Sequence, residues 1–231
     1  MDIILVPGLW LDASSWDPIT APLEAAGHRV HSLTMPGVGV PAPASSHIGI
    51  ADWVDAVVSE IDALADPVVL VGHSGGGNVV WGAADSRPDR VARVVFVDTV
   101  PPPDGRGISE FEVVDGVVPF PGWDAFDEPD VAGLDAPTRD RVAAQMASVP
   151  ARVPTDPLPL RNARRHGVPV TILAGGQDES SLRAALAEWG PWADEFAAIE
   201  DVDVVTLPTG HWPQFSVPEL LTEKILAAVE R

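Results

Sequence analysis

The stretch Pro67-Val68-Val69-Leu70-Val71-Gly72-His73-Ser74-Gly75-Gly76 sets the fold of this chain. An unbroken apolar run ends in a G-x-S-x-G pentapeptide, and small residues lead from there into a helical pattern over Asn78–Asp85. A strand covered on both faces reads as a continuous apolar run rather than an alternating one. Turning such a strand sharply into a helix strains the backbone at the apex and brings neighbouring elements close, and glycine on either side relieves both. The apex serine then projects its hydroxyl beyond the sheet, and the amide of the next residue points at the same spot. The pentapeptide by itself is a weak signal. The strand before it and the helix after it make Ser74 the first candidate for chemistry.

Outward from this turn the same rhythm repeats. Strands are predicted at Ile3–Val6, Arg29–Leu33, Val68–Val71, Val91–Val97, Val168–Ala174 and Val202–Leu207. Helices are predicted at Trp16–Ala26, Ile50–Leu64, Asn78–Asp85, Ser181–Trp189 and Pro218–Glu230. Gly27 stands where a helix C-terminal cap belongs, and Pro218 stands at a helix start, where a missing amide costs nothing. Alternation of this kind implies right-handed crossovers and an α/β fold: a mostly parallel central sheet of about six strands with helices on both faces. The rhythm breaks between residues 99 and 167, where proline crowds the chain (Pro101-Pro102-Pro103, Pro154, Pro157, Pro159). One helical pattern lies inside, Pro137–Ser148, with Val142 and Met146 on one face. Phe111, Val113, Val114, Phe120, Trp123 and Phe126 argue against a disordered linker, since disordered segments are poor in aromatics. The expected division is a single core domain, 1–98 with 168–231, carrying a small cap or lid insertion, 99–167.

Composition narrows the partners. With 34 acidic against 14 basic residues the net charge is −20, which repels nucleic acid; the expected partner is a small-molecule substrate. Lys224 is the single lysine. The absence of cysteine excludes disulfides, thiolate metal sites and a cysteine nucleophile. No cofactor or metal is expected. The chain enters Ile3-Ile4-Leu5-Val6 almost at once, with no basic leader and no long apolar span, so no membrane association and a cytoplasmic location are expected.

A serine hydroxyl needs a neighbouring base to act as a nucleophile at neutral pH. Among six histidines, His28 and His31 flank an early strand and His47 precedes a helix, and all three read as structural or exposed; His166 lies among Arg161, Arg164 and Arg165. The three arginines read as surface charges that could alternatively meet a carboxylate. His73 sits inside the turn and points away from its apex, in a supporting role. His211 follows Val202–Leu207 in the loop Pro208-Thr209-Gly210-His211-Trp212-Pro213, at the end of a parallel strand where ligands of open α/β sheets collect. His211 is the chosen base. The base needs an acid to hold its tautomer, and Asp178, in Gly175-Gly176-Gln177-Asp178 after another strand, is preferred over Asp98, which ends Val91–Val97. For the oxyanion, the Gly75 amide provides one donor. The Leu9 amide, in Pro7-Gly8-Leu9-Trp10, is the natural second. Trp10 and Trp212 are expected to wall the pocket.

These residues resemble the α/β-hydrolase superfamily. Ser74…Asp178…His211 follows that family's order, and the likeness runs through Val6-Pro7-Gly8-Leu9-Trp10, Trp16, Gly27-His28-Arg29-Val30 and Met35-Pro36-Gly37-Val38-Gly39. Within the superfamily the chain is most similar to small, lightly capped members such as the plant methylesterase and hydroxynitrile lyase group. The resemblance implies the α/β-hydrolase fold without its first two strands. Pro7 departs from the histidine that most relatives carry before the oxyanion-loop glycine. An aspartate at the turn apex would imply a dehalogenase or epoxide hydrolase, but Ser74 stands there and the chain has no tyrosine. The lyases use a threonine where this chain has Gly8, and a lysine near the base. What the resemblance implies is therefore a carboxylesterase-type serine hydrolase. Its expected substrate is an ester, lactone or thioester of a small, largely apolar molecule, cleaved through an acyl-serine. The alternative is non-hydrolytic use of the same pocket, in ring closure, carbon–carbon bond chemistry or small-molecule reception.

Overall fold

Six strands form one parallel sheet in the computed structural model, which describes all residues from Met1 to Arg231. In chain order the strands are β1 (Asp2–Val6), β2 (Arg29–Ser32), β3 (Val68–His73), β4 (Val91–Val97), β5 (Val117–Val118), β6 (Val149–Pro150), β7 (Val170–Gly175) and β8 (Val202–Leu207). The large sheet has the order β2-β1-β3-β4-β7-β8, and β5 and β6 pair separately as a short antiparallel ribbon. The helices are α1 (Asp17–Ala25), α2 (Ala42–Ser45), α3 (Ile50–Ala63), α4 (Gly75–Ser86), α5 (Ala136–Ala143), α6 (Glu179–Ala187), α7 (Pro191–Ala198), α8 (Pro213–Ser216) and α9 (Pro218–Val229).

Successive side chains of the apolar strands point to opposite faces, so both faces must be covered. On one face Ile3, Leu5, Val69, Val71, Val95 and Val97 meet Trp16 just before α1, Ile19 and Leu23 of α1, and Leu221 and Ile225 of α9. On the other face Ile4, Val6, Leu70, Val94, Phe96 and Ile172 meet α3 and α4, with Leu182, Leu186 and Phe196 of α6 and α7 alongside. Each of these fully buried Leu or Ile side chains contributes about 1.5–3 kcal/mol relative to exposure. The edge strands β2 and β8 are only half-buried, which explains their mixed sequences. Helix α1 ends in a Schellman motif: Gly27 N–H donates to Glu24 O at 2.9 Å and His28 N–H to Leu23 O at 3.3 Å, with Gly27 at φ +92°.

Several elements differ from the sequence reading, most of them by a residue or two at an end. Helix α4 begins at Gly75, directly after the serine, because tertiary contacts hold a glycine run that propensity alone would leave out. The strand expected from Val168 starts at Val170, since a 3-10 turn occupies Ala163–Gly167. Helix α5 closes at Ala143, well short of Ser148. Helix α7 was not expected; Pro191 at its first position, behind Gly190, was its signal. Residues 99–167 carry the β5–β6 ribbon and α5, and they fold back over the carboxyl ends of the sheet. There Ala147 N–H donates to Trp10 O at 2.8 Å and Gly39 N–H to Ser148 O at 2.8 Å. No helix is long and apolar enough to cross a membrane.

Candidate active site

The turn between β3 and α4 forces Ser74 to φ +51°, ψ −125°, a region that costs a non-glycine residue about 1–3 kcal/mol. Surrounding contacts leave it no alternative. Ser74 N–H donates to Val97 O at 3.1 Å, and Ser74 O accepts from Gly77 N–H at 2.8 Å. A Cβ on Gly72 would lie 2.6 Å from Gly76 O, and one on Gly76 would lie 2.5 Å from Pro7 O. Strand, turn and helix close up only because both positions lack a side chain.

His211 comes from the loop after β8, and its Nε2 lies 2.8 Å from Ser74 Oγ. Three backbone contacts hold that loop. His211 N–H donates to Asp130 O at 2.6 Å, Gly210 N–H donates to Ala132 O at 3.2 Å, and His211 O accepts from His73 Nε2 at 2.6 Å. The first two come from residues 129–132, and they need Gly210, whose Cβ would fall 2.2 Å from Asp130 O. His73 is fully buried; burial, reinforced by the nearby His211, pushes its pKa down to about 3. It is therefore a neutral imidazole with its hydrogen on Nε2, while its Nδ1 accepts from Gln214 Nε2 at 3.1 Å. The supporting role read for His73 is the one its geometry fits: it holds the backbone of His211.

The acid differs from the preferred assignment. His211 Nδ1 meets Asp98 Oδ2 at 2.6 Å, and Asp98 Oδ1 accepts from Gly175 N–H at 2.7 Å. Burial pushes the Asp98 pKa up, but the hydrogen bond and charge of His211 and the Gly175 amide outweigh it, and the carboxyl is held below its ordinary range. Asp178 does not reach the histidine. It is exposed and caps α6, its Oδ1 accepting from Ser181 N–H at 2.8 Å. An aspartate one residue before a helix has its own amides to serve, and that local capping signal in Asp178-Glu179-Ser180-Ser181 separates it from Asp98.

Gly8-Leu9-Trp10-Leu11 forms a turn closed by Leu11 N–H to Gly8 O at 3.3 Å, with Trp10 at φ +66°. It packs directly on the serine: a Cβ on Gly8 would lie 3.1 Å from Ser74 Cβ and 2.7 Å from His73 Nδ1, and a Cβ on Gly75 would lie 3.2 Å from Leu9 Cγ. Neither the Leu9 nor the Gly75 amide donates to any group of the protein. Two free N–H groups beside a serine hydroxyl are suited to a negative oxygen.

Trp10 and Trp212 do not wall the open space. Trp10 is 5% exposed and packs edge-on against Phe111, Phe120 and Phe126; Trp212 packs against Trp123, Phe126 and His211. Both fasten the 99–167 segment to the sheet top, because that segment supplies a ring surface that nothing near them in sequence announces. The open space is a cavity of about 770 Å³ reaching Asp98, Gly210 and His211, with Val100, Leu182, Trp189 and Trp192 in its walls. Arg165 is buried, paired through Nε with Glu195 at 2.8 Å and through Nη1 with Asp85 at 3.1 Å, so it is a structural ion pair; Arg164 meets Asp89 on the surface. No group of three or more His, Cys, Asp or Glu side chains converges as metal ligands.

A model of the alpha/beta hydrolase family matches residues 3–224. A carbendazim hydrolyzing esterase of Nocardioides sp. (strain SG-4G) is 28% identical over 244 residues, 98% of each chain. Esterase PIR7B of Oryza sativa subsp. japonica is 37% identical over 107 residues, covering 45% of this chain and 40% of that protein. Among solved structures, an extracellular alpha/beta-hydrolase from a Paenibacillus species matches with a TM-score of 0.77 at 19% identity, over 99% of this chain and 98% of that one. The methylesterase MES16 from Arabidopsis matches with a TM-score of 0.72 at 21% identity, over 100% of this chain and 99% of that one. Likeness at such identities concerns the fold.

Proposed function

The chain belongs to the alpha/beta hydrolase family and is a hydrolase, and from that premise we propose that it cleaves a carboxylic ester, lactone or thioester of a small, largely apolar substrate through an acyl-serine. The observation that carries this reading is the continuous hydrogen-bonded array from Ser74 Oγ through His211 to Asp98. The esterase name of the full-length Nocardioides relative supports the bond class.

In this mechanism Ser74 Oγ attacks the carbonyl carbon while His211 Nε2 takes its proton. Asp98 holds the imidazole with Nδ1–H toward itself and balances the imidazolium charge. The carbonyl oxygen, now negative, accepts from the Leu9 and Gly75 amides, which are free for it. Collapse breaks the bond to the leaving oxygen (sulfur in a thioester), and His211 gives that atom the proton. Water then attacks the acyl-serine with His211 again as base, which releases the acid and restores Ser74.

A fluorophosphonate probe with peptide mass spectrometry tests the array. Ser74 is modified in the wild type and not in His211→Ala. Ser74→Ala lowers kcat on a responsive ester by about 10⁴-fold or more with an unchanged fold, because the hydroxyl fills no packing site. Near-normal turnover by Ser74→Ala would refute the mechanism.

A further inference from the structure

A large cavity lies to one side of the site. Behind the oxyanion loop Trp10 is buried under the rings of Phe111, Phe120 and Phe126. The roughly 770 Å³ cavity lies against His211 and Asp98, and none of Ser74, Leu9 and Gly75 lines it, so a guest there meets the array at His211 and extends away from the serine. Ile108 joins the two sides. It stands on the cavity wall, and its Cδ1 lies 3.1 Å from where a Cβ on Gly75 would be.

Chemistry fixes which part of a substrate meets each side. The carbonyl oxygen must face the Leu9 and Gly75 amides. The leaving oxygen must come within hydrogen-bond reach of His211 Nε2, which delivers its proton. Whatever is attached to the leaving oxygen therefore extends on the side of the base. We propose, resting on the serine-hydrolase reading, that the cavity beside His211 holds the alcohol portion of the ester, so that preferred substrates join a small acyl group to a bulky apolar or aromatic alcohol.

Volume and lining agree with this. About 300–1,000 Å³ encloses a drug-sized group, and methanol would leave most of the cavity wet. The apolar part of the lining includes Val100, Ile172, Leu182, Trp189 and Trp192. Trp189 is 52% exposed, one of four large apolar side chains so exposed in the protein, and a flat apolar guest would cover it. The Arg106 guanidinium lies over the Trp192 ring, 5.3 Å from its centroid, and braces that wall.

The test compares methyl acetate, 2-naphthylmethyl acetate and methyl 2-naphthylacetate, which place the same ring on either side of the ester. We expect kcat/KM for 2-naphthylmethyl acetate to exceed both others by about 100-fold, the discrimination a few apolar contacts supply. Val100→Trp narrows the cavity and lowers that preference about tenfold, with Ser74 still labelled by a small fluorophosphonate as proof of fold. Trp189→Ala, at a half-exposed position that cannot threaten the core, raises KM for 2-naphthylmethyl acetate about tenfold. A preference for methyl 2-naphthylacetate, or an alcohol preference that both variants leave intact, overturns the proposal while the labelled serine stands. No labelling and no turnover of any ester would instead overturn the hydrolase reading, and this proposal with it.

Discussion

The carboxyl ends of β4 and β7 lie side by side in the sheet, and each is followed by an aspartate, yet the two do unrelated work. Asp98 is the first residue beyond β4. Its φ of +48° folds the chain back, with its N–H donating to Leu173 O at 2.8 Å, and its two oxygens meet Gly175 N–H and His211. Asp178 lies three residues beyond β7 in extended backbone (φ −87°, ψ 170°) and turns its carboxylate onto its own helix. Both carboxyls are held below the ordinary range, Asp98 against burial and by its histidine, Asp178 by the Ser181 amide. A depressed pKa therefore does not identify the acid of the array; what stands opposite the carboxylate does. The β7 loop still serves the site, but through the Gly175 amide rather than through its aspartate.

The largest expected effect is at Asp98. Asp98→Asn lowers kcat about 10,000-fold, because an amide does not hold the imidazole in the required tautomer. Its stability also responds differently to acid. With a folded pKa below the unfolded value, Asp98 contributes stability that is complete above about pH 4 and is lost as pH falls through the folded value. Acid titration followed by circular dichroism should show a shallower loss in Asp98→Asn than in the wild type. If Asp178→Asn instead abolished activity and Asp98→Asn did not, the comparison would be reversed.

A smaller effect is expected at Gly175. A Cβ there would fall 2.5 Å from Asp98 Oδ1 and 3.0 Å from Thr209 O. Gly175→Ala must push the carboxylate or the His211 loop aside, and a displacement of this size costs about 100-fold in kcat. Steady-state kinetics should show that loss with Ser74 still accessible to the probe. The smallest effect belongs to Asp178→Ala, which leaves kcat/KM unchanged and removes a helix cap, lowering Tm by about 2–4 °C in a scanning melt.

The strands β4 and β8 were legible to the residue, because Val91–Val97 and Val202–Leu207 are bounded by polar or turn-forming neighbours. The elbow was legible because glycines at 72, 75 and 76 act within a few residues of Ser74. The short α8 and the two-residue strands β5 and β6 were not, since so few residues carry no periodicity. Trp10 and Trp212 misled in another way: an aromatic beside a strand end looks the same whether it faces a cavity or the rings of an insertion.

Local sequence thus determined the parallel α/β architecture, the strained serine turn and the histidine at a strand's end, because apolar periodicity and turn chemistry act over neighbouring residues. The tertiary structure decided the rest. His211 meets Ser74 across 137 positions and Asp98 across 113, and which of two strand-end aspartates it meets depends on the turn of each backbone. The grip of residues 129–132 on the histidine loop and the cavity beside it exist only where residues 99–167 land on the sheet. Contacts between distant segments are set by how elements pack, and no pattern within either segment encodes its partner.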